Sequence, residues 1–235
     1  MTTLHLIPVG LGHHDPRHWL PAAAREAAIA LRYFIAENAK TARLFLKQIG
    51  TPIPLQEISI QTLKPDTPAQ DILAWLKSVP PDQDLGLVSE AGCPAVADPG
   101  AQVVAQAHRL GIRVVPWVGP SSIMLGLMAS GLQGQRFAFH GYAPVKAHER
   151  DAQLRAWESI SHKQQQTQIL IETPYRNAAL FEALVQTLRE TTRLCVACSL
   201  TCEDEWIGTR TIAQWRKDGA PDFEKKPTLF LYLAG

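Results

Sequence analysis

The sequence predicts an α/β protein of two domains, with a mainly parallel sheet in the N-terminal domain and a mixed sheet in the C-terminal domain. Through the first half of the chain, short apolar runs alternate with stretches of helical period. That alternation is typical of parallel strands joined by helices. In the second half, the late apolar runs follow one another with short turns, which favours antiparallel pairs.

Composition places the chain among globular proteins. Of its 235 residues, 46% are hydrophobic and 19% are charged, which is enough apolar material for a packed core. The formal net charge is +1, so no strong overall field attracts polyanions. The sequence has neither the features of a signal peptide nor the roughly 18 consecutive apolar residues of a membrane span. We therefore expect a soluble, cytoplasmic protein with no membrane partner.

The N-terminal half contains four predicted strands, each a short apolar run. They are expected at residues 4–8, 32–36, 85–89 and 112–116. Helices are predicted over residues 69–76 and 103–110, where apolar residues recur at helical spacing. Thr67 is the expected N-cap of the first of these helices, in a capping box with Gln70.

The C-terminal half contains five predicted strands and three predicted helices. The strands are expected at residues 137–140, 168–172, 193–199, 205–209 and 228–233, and the helices at residues 149–160, 177–188 and 211–217. Two prolines and a glycine in residues 116–120 would end one sheet and start the next unit. The expected domains are therefore residues 1–117 and 118–235, and two such domains leave a cleft between them.

The loop SEAGCPAVADPG, residues 89–100, is longer than the roughly 2 to 6 residues that most strand-to-helix connections need. It follows a predicted strand, and ligands of parallel sheets bind beyond the carboxyl ends of the strands. Further segments rich in proline and glycine lie at such ends, at residues 7–10, 118–122 and 172–176. Together these segments predict a binding site.

The chain lacks the usual nucleotide fingerprints. No G-x-G-x-x-G follows the first strand and no G-x-x-x-x-G-K-[ST] occurs. In the long loop, Gly92 allows close approach of a ligand to the backbone, while Pro94 and Pro99 stiffen the chain. The loop is therefore suited to a ligand that main-chain groups hold.

At these residues the chain resembles a known family. The loop is similar to the S-[DE]-A-G-x-P-x-x-x-D-P-G signature of the tetrapyrrole methylase superfamily, in its ribosomal RNA small-subunit methyltransferase I branch. The resemblance covers nearly the whole chain. It includes PVG at residues 8–10, PWVGPSS at 116–122, FHGYAP at 139–144, ETPYR at 172–176 and LTCE at 200–203.

The resemblance implies a tetrapyrrole methylase-like pair of α/β domains, with S-adenosylmethionine in the cleft between them and usually a homodimer. The implied activity is S-adenosylmethionine-dependent methyl transfer, with a ribose 2′-hydroxyl of ribosomal RNA as the first-choice acceptor. By position in the motifs, the cofactor site would be lined by Pro8, Ala91, Gly92, Cys93, Pro94, Val96, Ala97, Ser121, Ser122, Glu172, Thr173, Leu200 and Thr228.

The implied chemistry makes modest demands on the protein. A sulfonium methyl is already an activated electrophile, so the main requirement is to align the acceptor at about 3 to 3.5 Å. A hydroxyl acceptor also needs a proton acceptor. Glu90, Asp98 and Glu172 are the nearest carboxylates by motif, and the sequence assigns none of them as the catalytic base.

The chain departs from this branch in loops expected to face the acceptor. Glu37-Asn-Ala-Lys40 stands where the branch commonly has Glu-Asp-Thr-Arg, which replaces a bidentate guanidinium by a point charge. The first loop continues as GLGHHDPRH (residues 10–18) where Gly-Asn-Leu is usual, and Lys226-Pro-Thr228 replaces Lys-Gly-Glu. The acceptor is therefore less well specified than the cofactor.

Two clusters could suggest a metal, and for both we favour another interpretation. His13, His14 and His18 lie in a loop that Pro16 interrupts, so surface exposure or substrate contact is preferred to metal binding. The cysteines at 195, 198 and 202 lie in and just after a predicted strand, where residues three apart face opposite sides. We expect no metal, and buried free thiols in a reducing compartment.

Two other functions stay open beside ribosomal RNA methylation. Near-neutral charge is compatible with a methyltransferase for a tetrapyrrole or another small acceptor. The altered segments at residues 37–40 and 227–228 are compatible with a protein that binds S-adenosylmethionine without catalysis.

Overall fold

The computed structural model describes residues 2–12 and 14–235. These residues form two compact units, the first ending at Ser121 and the second beginning at Ser122. Each unit contains one five-stranded sheet with its own helices. Among these residues, no helix combines the length and the apolar character that a membrane crossing requires.

The first unit alternates strands and helices. Its elements are β1 (Thr3–Ile7), α1 (Ala22–Ala30), β2 (Tyr33–Ala36), α2 (Ala39–Gln48), β3 (Ser59–Thr62), α3 (Ala69–Ser78), β4 (Leu85–Val88), α4 (Gly100–Arg109) and β5 (Arg113–Pro116). All strand pairs are parallel, in the order β3-β2-β4-β1-β5. The predicted parallel sheet is therefore confirmed.

Helices cover both faces of this sheet, so its central strands are buried on both sides. Phe34 of β2 packs in a cluster with residues of α1 and α2, whereas Ile35 packs in a second cluster with residues of α3 and α4. Gly86 of β4 leaves room for a large neighbour, because a Cβ there would lie 2.5 Å from the Phe34 ring.

The second unit consists of α5 (Ser122–Ser130), β6 (Phe137–Tyr142), α6 (Ala147–Gln164), β7 (Thr167–Glu172), α7 (Asn177–Thr187), β8 (Arg193–Cys198), β9 (Trp206–Thr211), α8 (Ile212–Asp218) and β10 (Thr228–Leu233). The strand order is β6-β7-β10-β8-β9. Only β6 and β7 pair in parallel, and the other pairs are antiparallel. The mixed sheet is as predicted.

Strand β10 forms the middle of the second unit. Phe230 and Tyr232 belong to a core cluster that includes Leu154 of α6, Leu184 of α7 and Trp215 of α8. On the other face, α5 lies against β10 so closely that a Cβ on Gly126 would be 2.4 Å from a methyl carbon of Leu229.

One local prediction in the first unit is wrong. Thr67 does not cap α3: Pro68 occupies the N-cap position and no side chain bonds the helix end. The Thr67 hydroxyl oxygen instead accepts a hydrogen bond from the Lys64 main-chain N–H at 2.7 Å. The short preceding turn therefore competes successfully for the threonine side chain.

Tyr232 gives a test of the second core. Its side chain is fully buried and its hydroxyl has no hydrogen-bond partner among the described residues, and burial raises its pKa. Because an unsatisfied buried hydroxyl is costly, we expect Tyr232→Phe to increase the free energy of unfolding by about 1 kcal/mol. Urea denaturation measures this. Tyr142→Phe, at an exposed position, should change stability by less than about 0.5 kcal/mol. A destabilised Tyr232→Phe would show that the hydroxyl is bonded.

Candidate active site

Three loops of the first unit lie side by side at the carboxyl edge of the parallel sheet. They follow β1, β4 and β5, which are neighbours in the order β4-β1-β5. The N–H of Val9 donates to the carbonyl oxygen of Gly92 at 3.0 Å, and the N–H of Gly92 donates to that of Val9 at 3.1 Å. Gly119 packs against Pro8, since a Cβ on Gly119 would lie 2.2 Å from the Pro8 Cβ. The first loop is thus in contact with both others.

The position of these loops is typical of ligand sites in α/β proteins. The chain leaves β1 toward β2 on one side of the sheet, whereas it leaves β4 toward β5 on the other side. Adjacent strands whose connections run in opposite directions mark the crevice where open parallel sheets bind ligands. The predicted signature loop, residues 89–100, begins at this crevice.

Asp98 fixes the shape of the signature loop from within. Its Oδ1 accepts hydrogen bonds from the N–H of Ala95 at 2.8 Å and from the N–H of Gly100 at 2.7 Å. Between Gly92 and Asp98 the backbone is left-handed at Gly92 (φ 73°), Ala95 (φ 67°) and Ala97 (φ 61°). Alanine keeps the steric cost of that conformation small, so the loop can hold a compact turn.

The turn exposes residues expected at a ligand. Ala91, Val96 and Ala97 are exposed, while Gly92 and Pro94 are buried beneath them. The loop therefore presents the apolar side chains of these three residues at its surface.

Cys93 joins the second loop to the third. Its Sγ lies 3.4 Å from the carbonyl oxygen of Pro120, and burial raises the pKa of the thiol. A raised pKa disfavours the thiolate, which is the nucleophilic form. The geometry therefore supports a packing role for Cys93 rather than a reactive one.

In the second unit, four of the five expected site residues lie at one edge of the mixed sheet, whereas Ser122 is the first residue of α5. β10 begins where β7 and β8 end, so Thr228 pairs with Glu172 on one side and with Cys198 on the other. Thr173 follows Glu172 and is exposed, and Leu200 follows β8 and is buried. The antiparallel pairing thus brings together residues from three distant parts of the sequence.

Glu172 is already fully engaged. Its side chain is only 1% exposed and accepts hydrogen bonds from Arg176 Nη2 at 2.8 Å and from the Thr173 N–H at 2.7 Å. The Glu172 side chain thus ties the end of β7 to the turn that follows it.

Thr228 is held by a residue that sequence reasoning missed. The amide nitrogen of buried Asn177 donates to Thr228 Oγ1 at 3.0 Å and to the Lys226 carbonyl oxygen at 2.8 Å. Asn177 directly follows the ETPYR motif, and its place at the start of α7 gave no signal of this role. It positions the altered Lys226-Pro-Thr228 segment.

Glu37 is a further carboxylate near the signature loop, and sequence reasoning had placed it only within an altered segment. Glu37 directly follows β2. Burial and then the nearby Asp98 carboxylate raise its pKa, whereas the main-chain N–H that Glu90 donates lowers it and the Glu90 charge has a smaller raising effect. Glu90 itself is exposed, and its Oε1 accepts a hydrogen bond from Thr41 Oγ1 at 2.6 Å. Of the three carboxylates named from the sequence, Glu90 alone faces solvent, because Asp98 and Glu172 serve the structure around them.

The altered segment after β2 forms the start of α2. Asn38 is the N-cap, and its side-chain oxygen accepts from the Lys40 N–H at 2.9 Å. Substituting the usual Asp by Asn therefore keeps a residue that caps a helix well.

Histidines and cysteines form no apparent metal centre in the parts of the chain that the structure describes. His13 lies outside the described residues. Asp15 caps the short 3-10 turn at Pro16–His18 and pairs with Arg17 at 2.6 Å. Cys195 and Cys198 are free thiols buried on β8.

An open pocket of about 210 Å³ adjoins the signature loop in the first unit. The loop after β1 and residues 89–91 form one side of it, and α2 forms the other. Its remaining lining residues are Trp19, Thr41, Ala42, Leu44, Phe45 and Gln48. Sequence reasoning missed this pocket, although the face of α2 that lines it has the spacing i, i+3, i+4, i+7.

Two solved structures share this fold. The methyltransferase CobJ has a TM-score of 0.65 at 13% identity, over 100% of this chain and 95% of its own. The uroporphyrin-III-C-methyltransferase of Thermus thermophilus has a TM-score of 0.52 at 18% identity, over 98% and 91%. No protein-family model matches the chain. The fold is that of the tetrapyrrole methylases.

Proteins of similar sequence identify the family within this fold. A protein of Xylella fastidiosa named ribosomal RNA small subunit methyltransferase I is 31% identical over 234 residues, covering 98% of this chain and 80% of the relative. One of Synechocystis with the same name is 32% identical over 216 residues, covering 89% and 71%. The chain belongs to the ribosomal RNA small subunit methyltransferase I family, as its motifs predicted.

Asp98 offers a test of the loop. Burial raises its pKa above the usual 3.8 despite the two N–H donors, so the folded protein binds this proton more tightly than the unfolded chain. The carboxyl therefore favours folding most below about pH 4, and less as the pH rises through its folded pKa. Asp98→Asn keeps the acceptor oxygen without the charge. We therefore expect the free energy of unfolding of Asp98→Asn, minus that of wild type, to become more positive as the pH rises from 4 to 7. Urea denaturation at each pH measures this difference.

A second variant, which removes the hydrogen-bond acceptor at residue 98, separates the effect of the hydrogen bonds from the effect of the charge. Asp98→Ala leaves two N–H groups unpaired and should cost about 1 to 3 kcal/mol at pH 4. Asp66→Asn, at an exposed position, serves as the control and should show little pH dependence relative to wild type. If Asp98→Asn instead lost stability as the pH rose, the ionised form would be the favoured one in the folded loop.

Proposed function

We propose that the enzyme transfers a methyl group from S-adenosylmethionine to a ribose 2′-hydroxyl of small-subunit ribosomal RNA. The observation that carries the proposal is a 31% identity that spans 98% of the chain to a relative named for that RNA. The motif-based resemblance adds the 2′-hydroxyl as the acceptor.

The signature loop fits such a cofactor. It carries no lysine or arginine, so it places no fixed cation beside a positively charged sulfonium. Small Ala91, Ala95 and Ala97 leave the main chain accessible, and the hydrogen bonds to Asp98 hold the turn in place without a ligand. Preformed main-chain carbonyl groups can orient a sulfonium without the cost of ordering the loop.

Apart from Ser122, which begins α5, the proposed cofactor residues lie on the two sheet edges already described. Pro8, Ala91, Gly92, Cys93, Pro94, Val96, Ala97 and Ser121 belong to the loops of the first unit, and Ser122, Glu172, Thr173, Leu200 and Thr228 to the second unit. Bound S-adenosylmethionine would supply the activated methyl group. The chain's own task is to hold the acceptor hydroxyl in line with that group and to accept its proton.

Two further expectations are part of the proposal. By family resemblance the enzyme acts as a homodimer, and it works in the cytoplasm, where its ribosomal substrate would be found. Light scattering of the purified protein tests the first, and fractionation of cells tests the second.

Cofactor binding is the first test. S-adenosylhomocysteine at 100 times its dissociation constant should stabilise the protein by about 2.7 kcal/mol, because it binds only the folded state. Ala91→Leu places a bulky side chain on the exposed surface of the loop and should weaken binding at least tenfold in calorimetry. Ala74→Leu adds the same bulk at an exposed position of α3 and should bind like wild type. Equal binding by both variants would contradict the assigned site.

The acceptor is tested with labelled methyl groups. Small ribosomal subunits from a strain lacking the family's enzyme should take up label from S-adenosylmethionine. Because a 2′-O-methyl group blocks alkaline cleavage at its nucleotide, the label should remain in dinucleotides after hydrolysis. Label only in small molecules would indicate a tetrapyrrole or other small acceptor. Tight cofactor binding with no transfer to any cell extract would indicate a non-catalytic binding protein.

A further inference from the structure

The pocket beside the signature loop has an aromatic wall, to which Trp19 contributes a partly exposed ring and Phe45 a ring that is only 6% exposed. Trp19 and Phe45 lie with their ring centroids 6.3 Å apart and their planes 28° from parallel. Gly10 leaves room for the indole ring, since a Cβ at this position would lie 3.1 Å from the Trp19 ring. Leu44 also lines the pocket and is 53% exposed. The Leu44 side chain therefore adds exposed apolar surface to the wall of the pocket.

Polar groups accompany these apolar walls. Thr41 fixes one oxygen of Glu90 through the 2.6 Å hydrogen bond already described, and the exposed Glu90 carboxylate keeps lone pairs free for a further donor. The exposed amide of Gln48 lines the same pocket. A fixed carboxylate accepts hydrogen bonds from the amino group of a nucleobase, and a glutamine amide can both donate and accept.

The helix that lines the pocket also carries a basic stripe, which we define as Lys40, Arg43 and Lys47. These residues are spaced i, i+3 and i+7, and all three are exposed. None makes a salt bridge with the described residues, and α2 contains no acidic residue. At 100° per residue, the stripe lies next to the pocket-lining face, with Leu44 between the two. The positive stripe is thus available to the phosphates of a polyanion.

We propose that this pocket binds one nucleobase of the RNA while the basic stripe of α2 binds the neighbouring phosphates. The inference rests on the proposed function and adds to it where the RNA lies on the first unit. A pocket with an aromatic wall, an amino-group acceptor and an adjoining row of exposed cations together suit one base of single-stranded RNA and its neighbouring phosphates. A small acceptor without a phosphate chain would leave the stripe unused.

Two fluorescein-labelled probes separate the base from the phosphates. One is a single-stranded RNA 12-mer of mixed sequence, and the other is an abasic ribose-phosphate 12-mer. Leu44→Asn makes this exposed position of the pocket polar without adding a charge beside Lys40 and Lys47, and it should weaken binding of the RNA about tenfold in fluorescence anisotropy. Its affinity for the abasic oligomer should match that of wild type. Gln48→Ala should act in the same direction by a smaller factor.

The stripe is tested by salt dependence. Lys47→Gln should weaken both probes and reduce the slope of log K against log salt concentration by about 0.7, the value for one phosphate contact with a single strand. Lys77→Gln is the matched control, because Lys77 is exposed in the last turn of α3 as Lys47 is in the last turn of α2. It should leave both affinities and the slope unchanged.

The outcomes distinguish this inference from the proposed function. Calorimetry with S-adenosylhomocysteine is run on every variant, and unchanged cofactor binding shows that each is folded. The inference is overturned if the cofactor binds but wild type does not prefer RNA to the abasic oligomer, or if Leu44→Asn binds RNA as wild type does. Absence of cofactor binding in wild type would contradict the proposed function itself. Equal effects of Lys47→Gln and Lys77→Gln would also overturn the role of the stripe.

Discussion

The arrangement of the first unit's site depends on a short pairing of main chains beyond the end of the sheet. Val9 and Gly92 exchange two hydrogen bonds, so the loops after β1 and β4 leave the sheet as a joined pair instead of diverging. Pro8 then contacts Gly119, where only a hydrogen atom fits in place of a side chain. Because the three loops contact one another in this way, a change in any of them would move the others. The position of the signature loop therefore depends on residues far away in the sequence.

The regular architecture and the signature loop were predictable from the sequence because both are encoded locally. Apolar runs give strands β1, β2, β4 and β5, and the spacing in residues 69–76 gives α3. By contrast, β3 was missed because Ser59–Thr62 is a short edge strand with two exposed residues, so it lacks an apolar run. The cap at Thr67 was wrong because the same side chain could bond either the helix or the turn before it, and periodicity does not decide between two local hydrogen bonds.

The candidate site was predictable only in part, for a related reason. Residues 91–97 could be named from one motif, since they are neighbours in sequence. Trp19, Leu44 and Glu90 form one pocket only because β1, α2 and β4 converge, and no local pattern reports that convergence. Asn177 and Thr228 likewise meet through antiparallel pairing of distant strands. The sequence therefore predicts the chemistry of the individual side chains, but it does not predict which distant residues lie close together.

Two alanines in the signature loop have a consequence for how the protein can vary. At Ala95 and Ala97 the chain turns with positive φ, a conformation that β-branched side chains strongly resist. Valine, isoleucine or threonine at either position would therefore strain the turn even where the surrounding space is open. Natural or engineered diversity in this loop should be confined to glycine, alanine and asparagine at these two points, and larger changes should accumulate in the flanking segments, where the backbone is free of that constraint.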